Sequence, residues 1–141
     1  MNLLSALDVN ASGLTAQRKR VEISSANLAN SQTTRTEDGG PYRRQQVVFQ
    51  TTSFEDSLGK ALGDGVQGVE VSEVVKDQTP FDRRYEPGHP DADGDGYVSY
   101  PNVNSMEEMA NLMSASRTYE ANIAAIAVVK SMINRTLEIG R

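Results

Sequence analysis

Leu7, Leu14, Val21 and Leu28 recur at every seventh position near the start of the chain, with Leu4, Ala11, Arg18 and Ser25 in the adjacent column. A seven-residue apolar repeat marks a helix that lays one narrow stripe against another helix. It predicts a helix from about Leu3 to Asn30. Ser12, Gly13, Ser24, Ser25, Asn27 and Asn30 are poor helix formers. Such a helix orders firmly only when something covers its stripe. The same repeat returns at the other end in Leu112, Tyr119, Ile126 and Ile133, with Met109, Ile123 and Leu137 in the adjoining column. It predicts a second helix from about Ser105 to Ile139. Ser105 with Glu108 fits a capping box at its start, and Gly140 is placed to end it. Ala121, Ala124, Ala125 and Ala127 raise helix propensity and let partner helices approach closely.

Between the helices the texture changes. Asp38-Gly39-Gly40-Pro41 is a strong turn signal. Tyr42–Thr51 is extended in character, with Val47 and Phe49 on one face. The stretch 53–62 fits a short helix on Phe54, Leu58 and Leu62. Val69, Val71 and Val75 alternate with Glu70 and Ser72, the period of a half-buried strand. From Asp77 to Pro101 come four prolines, several glycines and an acidic cluster. That segment predicts loop, with a strand at Tyr97–Tyr100.

The expected class is therefore α+β: long terminal helices pairing like a coiled coil around a small β-rich or irregular middle. The divisions fall at 1–35, 36–104 and 105–141. At about 1.5 Å per residue the helices would be roughly 40 and 50 Å long. A compact chain of 141 residues has a radius of gyration of only about 14 Å. Two arrangements satisfy the pattern. One is a monomer whose helices form a hairpin against the middle segment. In the other, further chains cover the outer faces, where Ala, Ser, Asn and Met are common. The narrow stripes favour the second.

Composition narrows the chemistry. Apolar residues make up 38% of the chain, with no Trp, five Tyr and three Phe, which is lean for a self-contained core. The net charge of −5 argues against a protein that neutralises phosphates, and its basic residues are dispersed. Without cysteine there is no disulfide, thiolate ligand or cysteine nucleophile. No apolar run reaches the roughly 20 residues of a membrane span. Met1–Asp8 lacks the basic and apolar regions of a cleaved secretory signal.

Ser25-Ala26-Asn27-Leu28-Ala29-Asn30, followed by Thr33-Thr34, resembles the N-terminal signature of the flagellar axial proteins, the rod, hook and hook-associated subunits. Ala11-Ser12-Gly13-Leu14-Thr15-Ala16-Gln17-Arg18 is similar to that family's opening helix. Gly40-Pro41-Tyr42-Arg43-Arg44, Tyr85-Glu86-Pro87-Gly88-His89-Pro90, Gly96-Tyr97-Val98 and Pro101-Asn102-Val103-Asn104 resemble its short rod members. So do Glu108-Met109 and Arg117-Thr118-Tyr119-Glu120-Ala121-Asn122, with Lys130 downstream. Longer members insert large domains between the same two helices, and no room for one exists here. The resemblance implies a structural subunit of the bacterial flagellar basal-body rod. Its terminal helices would form the inner layer of a hollow tube that spans the periplasm. Its partners would be copies of itself, other rod proteins and the flagellar type III export apparatus. It implies no enzyme activity, cofactor, metal, nucleic acid or membrane insertion. Subunit contacts are expected at Leu7, Leu14, Val21, Asn27, Leu28, Asn30, Leu112, Tyr119, Asn122, Ile123, Ile126, Ile133 and Leu137. The three asparagines could bridge to adjacent helices and fix register, or Asn27 and Asn30 could simply end the first helix. Arg18 and Lys130, in otherwise apolar columns, could pair across a subunit boundary or snorkel to solvent.

Other motifs carry less. Asp91-Ala92-Asp93-Gly94-Asp95-Gly96 imitates the start of a calcium loop. The twelfth position is Asn102 rather than Glu, and Pro87, Pro90 and Pro101 bar the flanking helices. Gly63-Asp64-Gly65-Val66-Gln67-Gly68 has the letters of a dinucleotide fingerprint, yet its expected helix precedes its strand, the reverse of what phosphate binding needs. His89 lies in a proline-flanked turn without a catalytic partner. Asn10-Ala11-Ser12 and Asn134-Arg135-Thr136 fit a glycosylation acceptor but fall on expected helices. Two competing readings are a small cation-binding module using Asp91–Asp95 and a non-polymerising coiled-coil adaptor.

Overall fold

The computed structural model describes residues 3–53 and 67–139. Two long helices bracket four strands. In chain order they are α1 (Leu3–Ala29), β1 (Gln45–Ser53), β2 (Gln67–Lys76), β3 (Asp82–Tyr85), β4 (Tyr97–Tyr100) and α2 (Ser105–Ile139). The α+β class read from the sequence is the one the chain adopts. β1 and β2 form an antiparallel hairpin whose register shifts between Val48 and Phe49, and β3 and β4 form a second one. β3 escapes the sequence pattern because Asp82-Arg83-Arg84-Tyr85 is exposed along its whole length and so has no apolar face to alternate. The turn at Asp38–Gly40 is present, with Gly39 and Gly40 at φ of 81° and 83°. The short helix expected over 53–62 falls almost wholly outside the described residues.

The two helices run antiparallel. Asn27 bonds Glu108 at 3.2 Å and Arg20 bonds Asn111 at 3.3 Å, while Gly13 sits against Asn122. Covered positions on α2 follow Glu108, Leu112, Ala115, Tyr119, Asn122, Ile126, Val129 and Ile133, an alternation of fours and threes typical of knobs-into-holes packing. The facing row on α1 is Val9, Gly13, Ala16, Arg20, Ile23 and Asn27. Many of these knobs are small or polar, so the helix axes come close. A Cβ added at Gly13 would lie 3.0 Å from Asn122 Nδ2, tighter than the seam admits without a shift. Because α1 has 27 residues and α2 has 35, α2 runs on past the start of α1. The β1–β2 hairpin lies along α1 beside this seam, where Val69 N donates to Ser12 Oγ at 3.2 Å.

The seam differs from the columns read in the sequence. Leu7, Leu14, Val21 and Leu28 are half-buried beside it, one residue on from the true contact row. Ala11, Arg18 and Ser25 are exposed on the outer face. On α2 the column Leu112, Tyr119, Ile126 and Ile133 lies in the seam, whereas Met109, Ile123 and Leu137 are exposed. A seven-residue repeat sets the spacing of a stripe, but small and polar residues decided which stripe is inside. The capping box is also corrected. Asn104 caps α2, its Oδ1 accepting from Met106 N at 3.1 Å and more loosely from Glu107 N. Glu108 is one position too far along to reach back, and its carboxylate is spent elsewhere.

It is spent in a polar clasp that joins α1, β1 and α2. Asn27 is 1% exposed and uses every bonding position of its amide. Nδ2 donates to Gln45 O at 2.8 Å and to Glu108 Oε2 at 3.2 Å. Oδ1 accepts from Tyr42 OH at 3.0 Å and from Gln45 N at 2.9 Å. Arg44 Nε meets Glu108 Oε1 at 2.7 Å, and its other nitrogens reach Asp77 at 3.4 Å and Glu107 at 3.3 Å. Burial opposes the Arg44 charge, but the bond and attraction to Glu108, backed by Glu107 and Asp77, outweigh it and raise the guanidinium's pKa. Burial, with Glu108 nearby, raises the Tyr42 phenol as well. Asn102 Oδ1 accepts from Arg44 N at 2.9 Å, and its Nδ2 holds Thr79 Oγ1 at 2.8 Å. Replacing Asn27 by Ala orphans Tyr42 OH and both backbone groups of Gln45. Expected is a loss of about 2–4 kcal/mol, measured by urea unfolding of the purified chain. A loss under about 0.5 kcal/mol would mean the clasp is ornamental.

Candidate assembly surface

The buried hydrophobic core among the described residues is small, namely Ala16, Ile23, Val98 and Ala115. The larger apolar groups face outward. Along α2 these are Met106, Met109, Met113, Ile123, Val128, Met132 and Leu137. Between Glu120 and Lys130 the helix carries no charge at all, yet Ala121, Ile123, Ala124, Ala127 and Val128 are exposed, Ile123 to 47% and Val128 to 55%. A helix that is apolar on all sides is normally covered on all sides. Among the described residues only the α1 side is covered. α1 contributes a second strip: Leu7, Leu14, Val21 and Leu28 lie on its flank away from the hairpin, and helical geometry puts Met109 and Ile123 on the same side of the seam. The outer stripe of α1 is different in kind, with Ala11, Thr15, Arg18, Glu22, Ser25 and Ala29 exposed.

The sequence-derived contact residues thus separate into groups. Leu112, Tyr119, Asn122, Ile126 and Ile133 join the intrachain seam, half-buried. Asn27 belongs to the clasp. Asn30 closes α1, its Nδ2 donating to Ala26 O at 2.9 Å and its Oδ1 accepting from Thr33 Oγ1 at 3.2 Å. Ile123 and Leu137 face solvent, as do Arg18 and Lys130, which have no ion pair among the described residues. The pattern overlooked Met106, Met113, Val128 and Met132 because they lie outside the two columns it singled out on α2. For Val128 the missing charge between Glu120 and Lys130 was the signal.

The acidic turn between β3 and β4 is built from its own carboxylates. Asp93 Oδ1 accepts from Tyr97 N at 2.8 Å and Asp95 N at 3.0 Å, and Oδ2 from Arg83 Nη2 at 2.6 Å. Asp91 accepts from Thr34 Oγ1 at 2.9 Å and lies 3.7 Å from Arg35. His89 Nδ1 accepts from Asp91 N at 3.1 Å. Gly96 has φ of 81°, and a Cβ there would meet Tyr85 at 3.0 Å and Pro87 at 3.2 Å. Among the described residues no group of three His, Cys, Asp or Glu side chains is placed to hold a metal ion, and no helix is long and apolar enough to cross a membrane.

Two family descriptions match the ends of the chain. Residues 7–35 match "Flagella basal body rod protein", and residues 95–139 match "Flagellar basal body rod FlgEFG protein C-terminal". Whole-length relatives are closer in kind. The flagellar basal-body rod protein FlgC of Salmonella typhimurium is 45% identical over the full length of both chains. The FlgC protein of Borreliella burgdorferi is 44% identical over 99% of this chain and 98% of its own. That of Bacillus subtilis is 41% identical over the whole of both. The chain belongs to the flagellar basal-body rod protein FlgC family. The match to these relatives runs the length of the chain and so spans both helices and the strands between them. It is a family of structural rod proteins, consistent with a molecule whose conspicuous surface is an uncovered helix.

Hydrogen bonds set the acid response. Backbone N–H groups, from Thr79 to Asp77 and from Tyr97 to Asp93, hold both carboxyls below the ordinary aspartate value, with Arg44 and Arg83 adding to the effect. Groups depressed in the folded state stabilise fully above their unfolded value, about pH 4, and that contribution fades as pH falls through the lower folded value. The Asp77→Ala and Asp93→Ala variants should therefore lose less stability than the parent chain on acidification from about pH 5 to about pH 3. Urea midpoints across that range measure it, and parallel curves would reject the assignment.

Proposed function

We propose that this chain is a non-enzymatic structural subunit of the bacterial flagellar basal-body rod. It completes its helical layer by docking the bare α2 belt, with the Leu7–Leu28 flank of α1, onto copies of itself and other rod proteins. The observation that carries this reading is the charge-free, solvent-facing stretch at residues 121–129. Burying apolar surface contributes about 25 cal/mol per Å², and nothing among the described residues supplies the cover. Ala121, Ala124 and Ala127 suit close helix approach, while Met109, Met113 and Met132 adapt to uneven surfaces. The subunit's place is the periplasm-spanning rod. Export through the flagellar type III apparatus suits helices whose residues form them only weakly and whose core is small. The engagement of Asp91, Asp93 and His89 in turn hydrogen bonds supports a scaffolding role for the acidic turn over cation binding or catalysis.

Ile123→Asp tests the docking surface. The site is already exposed, so the purified variant should keep its helical content and change stability by less than about 0.5 kcal/mol. In an interface the same charge would be buried without a partner, so cells relying on the variant should lose motility. Normal swimming would remove Ile123 from the interface. Recovery of the wild-type chain only as a discrete one-to-one complex with a single helical protein would favour the adaptor reading instead.

A further inference from the structure

Nearly all the sulfur of this chain sits on the outer side of α2. The sequence has five methionines and no cysteine, and Met106, Met109, Met113 and Met132 all belong to this one helix. They are 77%, 50%, 53% and 52% exposed. None lies in the contact row through Leu112, Ala115, Tyr119, Ile126 and Ile133, and none belongs to the small buried core. Met106, Met109 and Met113 stand three and four positions apart, so they share one side of the helix. Met132 follows just beyond the charge-free stretch. Methionine commonly fills gaps inside a protein. On α2 it is a surface residue, and the fold does not rest on it.

An exposed thioether is open to two-electron oxidants. Its sulfur lone pair takes one oxygen from hydrogen peroxide and the O–O bond breaks. The hydroxide that leaves takes up the other peroxide proton and departs as water. The sulfur is oxidised to a sulfoxide and the peroxide is reduced. No thiol in the chain competes for the oxidant. We propose that Met106, Met109, Met113 and Met132 form a reversible oxidation site, a switch that peroxide sets while α2 is bare and that bars the subunit from assembly without unfolding it. A sulfoxide is polar, and burying it against apolar neighbours without a donor is unfavourable. Methionine sulfoxide reductases return both epimers to the thioether, so the block can be lifted. The switch deepens the rod-subunit reading and rests on it.

The first test uses the purified full-length chain. Hydrogen peroxide should add oxygen to all four residues at rates close to those in the urea-unfolded chain, read by peptide mass spectrometry. Helical content and the urea midpoint should not change. Rates far slower than in urea, or a lowered midpoint, overturn the site. The second test uses cells without methionine sulfoxide reductases that co-express tagged wild-type chain and the combined variant Met106→Leu, Met109→Leu, Met113→Leu and Met132→Leu. These swaps conserve volume and apolar character and cannot form a sulfoxide. Basal bodies built with and without a sublethal dose of peroxide are isolated, and the ratio of the two chains is measured. Peroxide should lower the wild-type share about tenfold, the effect of an unpaired polar group in an interface. General harm to the cell strikes both chains alike and leaves the ratio unchanged. Restoring the reductases should return the ratio to its untreated value, and a ratio that stays low overturns the reversibility. An unchanged ratio with both chains present overturns the switch and leaves the rod reading standing. Absence of both chains from untreated basal bodies removes the rod reading and the switch with it.

Discussion

Asn27 has four hydrogen-bonding positions, and two other parts of the chain fill them. Tyr42 and Gln45 approach from the segment leading into β1, Glu108 from the first turn of α2, and the asparagine itself stands near the end of α1. It joins both helices to the segment that enters the β hairpin with every position bonded. A buried amide of this kind adds little net energy over an apolar residue of the same shape, but it admits few alternatives, because each displaced partner would be left unpaired in a dry place. Arg44 extends the same logic. Its contact with Glu108 is worth more as orientation than as stability, since much of the attraction offsets the cost of desolvating both charges. The clasp therefore fixes how α2 rolls about its axis.

That roll has a consequence at the other end of the molecule. With Glu108 held inward, the seven-residue rhythm carries Ala115, Asn122 and Val129 inward too. Met109 and Ile123, one step round the helix, are carried outward. Apolar side chains are thus exposed by the geometry of a polar contact many residues away. α1 brings small and polar residues to the seam, Gly13, Ala16 and Asn27 among them, while α2 brings Leu112, Tyr119, Ile126 and Ile133 and still leaves Met109, Met113, Ile123 and Val128 exposed. The same economy appears in the second hairpin, where Val98 is wholly buried while the strand pair around it is held by Arg–Tyr stacking, Arg84 lying 4.7 Å from the Tyr100 ring and Arg83 5.0 Å from that of Tyr97.

How much of this was written in the sequence depends on which signal carried it. Helix positions and lengths were legible, because seven-residue repeats and alanine-rich runs are local. The β1–β2 strands were legible from Val47, Phe49, Val69 and Val71, which alternate. The identity of the inner face was not. Hydrophobic periodicity weights Leu7, Leu14, Val21 and Leu28 as the stripe, whereas Gly13, Ala16 and Asn27 won the seam through closeness of approach and specific bonding, neither of which shows in a count of apolar residues. Asn104 displaced Ser105 as the cap for a similar reason. Glu108 was already committed to Arg44, a partner 64 residues away, and no local rule reports such a competition. The clasp residues Tyr42 and Arg44 open a segment that reads as extended, and Asp77 and Asn102 lie at the two ends of one that reads as loop, so only the fold brings them together.

The division of labour between the helices follows from the same facts. α1 is embraced on two sides, by α2 along the seam and by the hairpin through Ser12 and Asn27, and what remains exposed on it is mostly small or polar. Among the described residues α2 packs on α1 alone over most of its length and overhangs it at the C-terminal end, where Leu137 is 67% exposed. An element covered on one side out of three gains from every further neighbour, and the gain grows with the number of neighbours rather than saturating at one. A single partner helix would cover one more flank and leave Val128 or Ile123 in water. Only an arrangement that surrounds α2 satisfies a belt apolar on all sides, and repeated packing of like subunits about a common axis is the simplest geometry that surrounds every copy equally.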